Sequence, residues 1–180
     1  MLPLIYARIN PEDKIRVKNL VRQASSFIPP ILFCIVIPYF LVRGEHKGYF
    51  FNPSFVLEIL GGLIICGGLL IFIITTRLII LIGKGTIMPW DPSRSLVVAG
   101  IYQYVRNPMI LSVILIETGE ALLFASIWLG ILGLIFFIIN HIYFVFSEEP
   151  GLEKRFGDEY IEYKKNVPRW IPRLSPWKPG

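Results

Sequence analysis

The chain has 180 residues, 54% of them hydrophobic, with a mean hydropathy of +0.60. A soluble domain of that size cannot bury so much apolar surface, so the composition excludes a soluble globular protein and places the chain in a membrane. A formal charge of +5 would suit nucleic acid, but the Lys and Arg residues cluster beside apolar segments, which points to anionic lipid headgroups and no nucleic-acid partner. Cys34 and Cys66 lie inside apolar runs and read as small buried hydrophobes. With so few His and Cys residues, no metal centre is expected.

The first residues, Met1 to Ile9, hold no long apolar core and no small-residue cleavage site, so no signal peptide is expected. Asn10-Pro11 reads as a helix start, with Asn as cap and Pro at the first helical position. Val17, Leu20, Val21 and Ala24 then fall on one face and Lys14, Lys18 and Arg22 on another. That pattern is an interfacial amphipathic helix, or else a juxtamembrane segment held by charge alone. The first apolar segment, Phe27 to Val42, contains Pro29, Pro30 and Pro38, and Pro38 removes an internal hydrogen bond and should kink it.

After a polar, aromatic-rich loop from Arg43 to Pro53, the longest apolar stretch runs from Phe55 to Ile82. Thr75, Thr76 and Arg77 interrupt it, so the span is expected to end near Thr75 and continue along the interface, with Arg77 snorkelling. The pairs Gly61-Gly62 and Gly67-Gly68 supply small residues for close helix packing. Gly83 to Ala99 is a loop punctuated by Pro89 and Pro92; its Gly-Lys-Gly-Thr lacks the full phosphate-loop pattern and a preceding strand. Met109 to Phe124 is the third span, and the short Ala125-Ser126 connection makes it an antiparallel hairpin with the fourth, Ile127 to Phe146.

The fold expected is therefore all-α and polytopic, with about four transmembrane helices and a C-terminal interfacial helix. Residues 1–82 form an amphipathic segment and two spans, and residues 83–180 form a catalytic core with a helical hairpin and a tail. Most basic residues flank the N-terminal segment, the loop after the second span and the tail, and only Arg43 and Lys47 lie opposite. The positive-inside rule then puts both termini and both polar motifs in the cytoplasm, in a multi-pass protein of the plasma membrane.

Two polar clusters meet this membrane edge. The first is Gly100-Ile101-Tyr102-Gln103-Tyr104-Val105-Arg106-Asn107-Pro108, where phenols, a fixed cation and an amide sit between water and hydrocarbon. An interfacial anchor is the alternative reading of the same residues. The second begins at Ser147, a candidate helix cap followed by Glu148 and Glu149 in the first turn, where carboxylates are favoured. Leu152, Phe156, Tyr160 and Tyr163 then form an apolar and aromatic stripe that packs the tail on the membrane surface and roofs the site. Val167-Pro168 ends the helix, and Trp170 and Trp177 are interfacial anchors. Inside the third span, Glu117 and Glu120 share a helix face; Arg106 or His141 are their candidate partners, or a substrate headgroup, with solvation at the far interface the further alternative for Glu120.

The two clusters together resemble the isoprenylcysteine carboxyl methyltransferase and phospholipid methyltransferase superfamily of small integral-membrane enzymes. There the first motif reads G-x-Y-x-x-x-R-[HN]-P-x-Y, and the second reads E-E-x-x-L with F-G-x-x-Y-x-x-Y and V-P downstream. The resemblance covers roughly residues 83 to 173 and implies methyl transfer from S-adenosylmethionine to a lipidic acceptor. It implies cofactor contacts at Arg94, Ser95, Leu96, Val97, Tyr102, Asn107, Pro108, Met109, Ile110 and Glu148, with Arg106 as the motif arginine. Arg106 and Glu117 are the candidate catalytic residues.

Asn107 stands where the carboxyl methyltransferases usually carry His, Ile110 replaces their Tyr, and Phe144 replaces a substrate-contacting Arg. The last change puts an anionic isoprenylcysteine carboxylate in doubt as acceptor. Sterol reductases, which hold a nicotinamide cofactor, resemble the same C-terminal architecture, and a non-catalytic scaffold is the third reading. The acceptor is expected to enter laterally beside the third span, past Ser112 and Glu117, with its headgroup rising toward Arg106 and Glu148.

Overall fold

The computed structural model describes residues 24–25, 27–44, 55–83 and 95–178. The expected amphipathic helix before Ala24, most of the 43–53 loop and Arg94 lie outside these residues. Everything regular among them is helical. The helices are α1 (Ile28–Gly44), α2 (Phe55–Gly83), α3 (Pro108–Leu123), α4 (Ile127–Phe156) and α5 (Asp158–Asn166), with a 3-10 turn at Gly100–Gln103 before α3. Of these, α2 and α4 are long and apolar enough to cross a membrane.

The bundle is built the way a hydrocarbon solvent demands. Large apolar side chains such as Ile35, Phe40, Leu63, Leu70 and Ile139 are exposed, while Gly68, Thr75, Ser112 and Gly119 are buried. With no hydrophobic drive between helices in lipid, contact is made where small residues let backbones approach. The α2–α3 seam shows this most clearly. Gly61 of α2 faces Gly119 of α3, and Gly68 faces Ser112 and Ile116, so the helices run antiparallel. A Cβ on Gly61 would come within 2.7 Å of the Gly119 carbonyl, and one on Gly119 within 2.7 Å of the Gly61 carbonyl. Of the two glycine pairs in the sequence, only one member of each serves the seam, for Gly62 and Gly67 face open space.

Two further elements close the bundle. α1 rests on α2 through Phe27 and Phe72, whose centroids are 6.4 Å apart, and on α4 through Phe33 and Phe136 at 5.1 Å. At the Ala125-Ser126 turn, Ala125 takes a left-handed φ of 44°, and Ser126 caps α4 by accepting from the Leu129 amide at 3.3 Å. The expected hairpin is thus formed. α2 does not end near Thr75. The Thr75 hydroxyl returns its hydrogen bonds to the Ile71 and Phe72 carbonyls at 2.9 and 3.0 Å, so the helix runs on through Arg77.

Prolines shape α1 and α4 by the same device. Each contains a π-helical turn, Leu32–Val36 in α1 and Phe144–Glu148 in α4, and each turn ends two residues before a proline, Pro38 and Pro150. A proline cannot donate to the carbonyl four residues back, and a wider turn just ahead of it rearranges the bonds around that loss. The kink expected from Pro38 takes this form. In α4 the device carries the helix straight past Ser147, so Ser147 is not the cap expected there, and the tail helix is the continuation of the fourth apolar helix. The break comes later, at Gly157, whose φ of 54° turns the chain into α5.

Candidate active site at the membrane edge

The tail folds back onto the first polar cluster and is laced to it by main-chain bonds. The Arg106 amide donates to the Pro168 carbonyl at 2.9 Å, the Arg173 amide to Tyr104 at 2.9 Å and the Trp177 amide to Gln103 at 3.0 Å. The Tyr163 hydroxyl donates to the Tyr102 carbonyl at 2.7 Å. Beneath this lacing, Tyr160, Tyr163 and Val167 form a buried core with Leu96, Val98, Leu152, Phe156 and Trp177 around it. The aromatic stripe therefore closes on the 96–98 strip and the tail's own end, across the Gly157 break.

The centre of the cluster is Glu149, a residue the sequence reading placed in a helix first turn with no further role. It is buried, and it accepts from Arg106 at 2.8 Å, Arg169 at 2.6 Å and Lys164 at 3.0 Å. Burial alone would push its carboxyl up. The hydrogen bonds from Arg169 and Lys164 and the nearby Arg106 charge outweigh that and hold it below the usual carboxylate range. Lys164 also reaches Glu153 at 2.8 Å. One acid thus ties the first motif, α5 and the segment after it into a unit. The signal available in the sequence was the repeated acid followed by basic residues at 164 and 169, but nothing in it fixed the pairing.

Glu148 has a different environment. It is half-buried, its carboxyl is raised by burial, and it is bonded by the Tyr143 hydroxyl. Burial also raises the Tyr102 phenol, with the Glu148 charge adding to the effect. Of the residues expected at a cofactor, Val97 and Pro108 are buried, Leu96, Tyr102, Asn107, Met109, Ile110 and Glu148 are partly buried, and Ser95 is exposed. Asn107 and Pro108 sit at the head of α3, with Pro108 in the first helical turn. Here three buried polar atoms have no hydrogen-bond partner among the described residues: Arg106 Nε, Asn107 Nδ2 and Thr76 Oγ1. Thr76 was missed by sequence reasoning. It lies on α2 between the Gly68–Ser112 contact and the Leu78–Gly100 contact, and so is level with the first motif.

One expectation is corrected. Glu117 is fully buried and neither of its oxygens has a partner among the described residues, so the pairing with Arg106 or His141 does not form. Arg106 is engaged by Glu149, and His141 Nδ1 accepts from Trp170 Nε1 at 3.0 Å. Nine residues along α3 from Pro108, Glu117 lies about 14 Å below the cluster at 1.5 Å per residue. Trp170 is half-buried, and its ring packs on Phe137 and Phe144 of α4 at 5.3 and 5.9 Å.

An uncharacterized protein of Haemophilus influenzae (strain ATCC 51907 / DSM 11121 / KW20 / Rd) is 43% identical over 44 residues, which is 24% of this chain and 67% of that protein. No solved structure matches. Residues 56–159, from the start of α2 into α5, match the phospholipid methyltransferase family, whose chemistry is methyl transfer to lipids. That stretch is more than half of the chain and includes the seam, the first motif and the Glu148-Glu149 start of the second, and on that ground this protein belongs to the phospholipid methyltransferase family.

Proposed function

We propose that the protein transfers a methyl group from S-adenosylmethionine to a lipid acceptor at the cytoplasmic face of the membrane. The observation that carries this is the set of unpartnered buried polar atoms, Arg106 Nε, Asn107 Nδ2 and Thr76 Oγ1, at the head of an apolar helix pair in a chain of this family. Buried donors left without partners are costly, and a polar molecule bound among them would remove that cost. S-adenosylmethionine fits the donor set, having a carboxylate and ribose hydroxyls for Asn107 and Arg106, and an amino group and hydroxyls for Glu148. When bound, it supplies an activated methyl group on a sulfonium sulfur.

The chain's own part is to position and to screen. Glu149 fixes the Arg106 guanidinium, Tyr102 and Glu148 form one wall, and the 95–97 strip and the turn from Asn107 to Ile110 form the others. Docking of the tail over these residues excludes water from them, which strengthens every polar contact inside. Glu117 is too deep to reach anything held at Arg106, and we leave it out of the transfer step. The four apolar helices are read as four spans with both termini in the cytoplasm, because the basic residues flank α1, α3 and the tail on one side.

Titration calorimetry of the detergent-purified protein against S-adenosylmethionine and against NADPH tests this reading. Saturable binding of the first alone, with methylation of aminophospholipid vesicles, is the expected result. Binding of NADPH alone would transfer the protein to the reductases.

A further inference from the structure

The lateral entrance expected beside Ser112 is closed. Ser112 is fully buried, and with Ile116 and Gly119 it faces the α2 glycines in the seam. The open side of α3 is another one. Ile110, Ile114, Thr118 and Ala121 follow one another at steps of four, four and three, so they share a face of α3 that begins at the candidate site itself. Below Ile110 this face opens into a groove of about 640 Å³ between α3 and α4. Ile114, Thr118 and Ala121 line it from α3, and Gly130, Leu134 and Phe137 from α4. Its volume is that of a ligand site, roughly 300–1,000 Å³.

We propose that this groove holds the terminal part of a long acyl chain on the acceptor, and that Gly130 and Ala121 set the chain length that is preferred. The proposal rests on the lipid-methylating reading above. Continuity with the site is one argument, since a headgroup held near Arg106 and Ile110 leaves its chain only this open face of α3 to follow. Depth is the other. At 1.5 Å per residue, Ile114 lies about 9 Å and Ala121 about 20 Å below Pro108. Half of a hydrocarbon core about 30 Å thick is about 15 Å, so the groove takes up a chain where its own leaflet ends. A short chain would not reach it. The room comes from absent side chains: a Cβ on Gly130 meets nothing nearer than the Ala121 Cβ, at 4.0 Å. A leucine there would grow into the groove, and not into backbone.

The test uses the full chain in lipid nanodiscs with phosphatidylethanolamine carrying a diazirine at the end of an 18-carbon chain. Irradiation is expected to label residues 114–137 several-fold above the lipid-exposed stretch 63–70 of α2. Gly130→Leu should abolish that excess. Its ratio of kcat/KM for 18-carbon over 10-carbon phosphatidylethanolamine should fall several-fold, since the leucine fills room that only the longer chain reaches. Gly130→Ala, which adds one carbon in open space, should give a smaller shift of the same sign. Labelling no stronger than on α2, or cross-linking of two copies through the groove, would overturn the proposal, as would an unchanged chain-length ratio in both variants. If the wild type methylates no aminophospholipid, the reading of function fails, and the labelling still decides whether a chain end occupies the groove.

Discussion

Glu148 and Glu149 are adjacent in sequence, and a step of one residue on a helix turns about 100°, which gives them different neighbours. Glu149 meets three cations, whereas Glu148 is bonded by the Tyr143 phenol. Their substitutions should therefore separate. Glu148→Gln is expected to weaken S-adenosylmethionine binding by about 1.5–3 kcal/mol, the value of a hydrogen bond to a charged group, and to leave the tail docked. Calorimetry and protease protection of the tail would read the two effects. Glu149→Gln should instead cost on the order of 3 kcal/mol of stability, because it leaves Arg106 buried without its counter-charge. The tail would then become sensitive to protease before cofactor binding is tested at all.

Acid should act on the wild type in the same direction. A carboxyl held below its ordinary value of 4.5 adds stability that is complete above that pH and is lost as pH falls through the lowered value. Tail docking, followed by quenching of a dye at residue 175, should weaken below about pH 4.5 in the wild type, and the Glu149→Gln protein should lack that component. The Glu-Glu pair was legible as a helix first turn near a membrane. Which acid would be locked among cations depended on contacts 43 residues away in the chain, and no local pattern carries that.

At the level of elements, the α2–α3 seam is the part of the fold most exposed to side-chain volume. Gly61→Leu should be destabilising by at least about 1–3 kcal/mol, the ordinary cost of overpacking, since its Cβ alone would meet the Gly119 carbonyl and the Leu123 amide. The same change at Gly62 meets nothing and should be neutral. Thermal unfolding in detergent distinguishes the two, and equal effects would contradict the seam. The apolar helices and the hairpin were readable from apolar length and the short turn, because those signals are local. Which glycine of each pair faces the partner was not, for it depends on the rotation of α2 about its axis, and α2 is apolar all round. The end of α2 was misjudged for a related reason: a threonine can satisfy its hydroxyl on its own helix, so Thr75 reads as polar in the sequence but makes no demand on water.

For the whole molecule, the arrangement depends on both motifs reaching the same membrane face. An engineered thiol at Ser175 should be labelled from the cytoplasmic side and one at Gly44 from the opposite side by a membrane-impermeant reagent. Labelling of both from one side would contradict four spans. The all-helical, apolar character was legible from composition, and the meeting of the motifs from their order and spacing. The lacing of residues 168–177 onto 103–106 was not, since it is made almost wholly of main-chain bonds to which side-chain identity contributes little.

The π turn at Phe144–Glu148 has a consequence for how the chain tolerates changes of length. A turn closed five residues apart holds one residue more than a turn closed four apart, so removing one residue there lets the helix revert to ordinary geometry with both flanks still in phase. Deleting Val145 should leave Glu149 beneath Arg106 and the tail docked. Deleting Ile139, in the regular part of α4, would rotate everything beyond it by about 100° and carry Glu149 away from its cations. Protease protection of the tail in the two deletions would show whether this turn is the one place in α4 where a residue can be lost without disconnecting the apolar half of the helix from the docked tail.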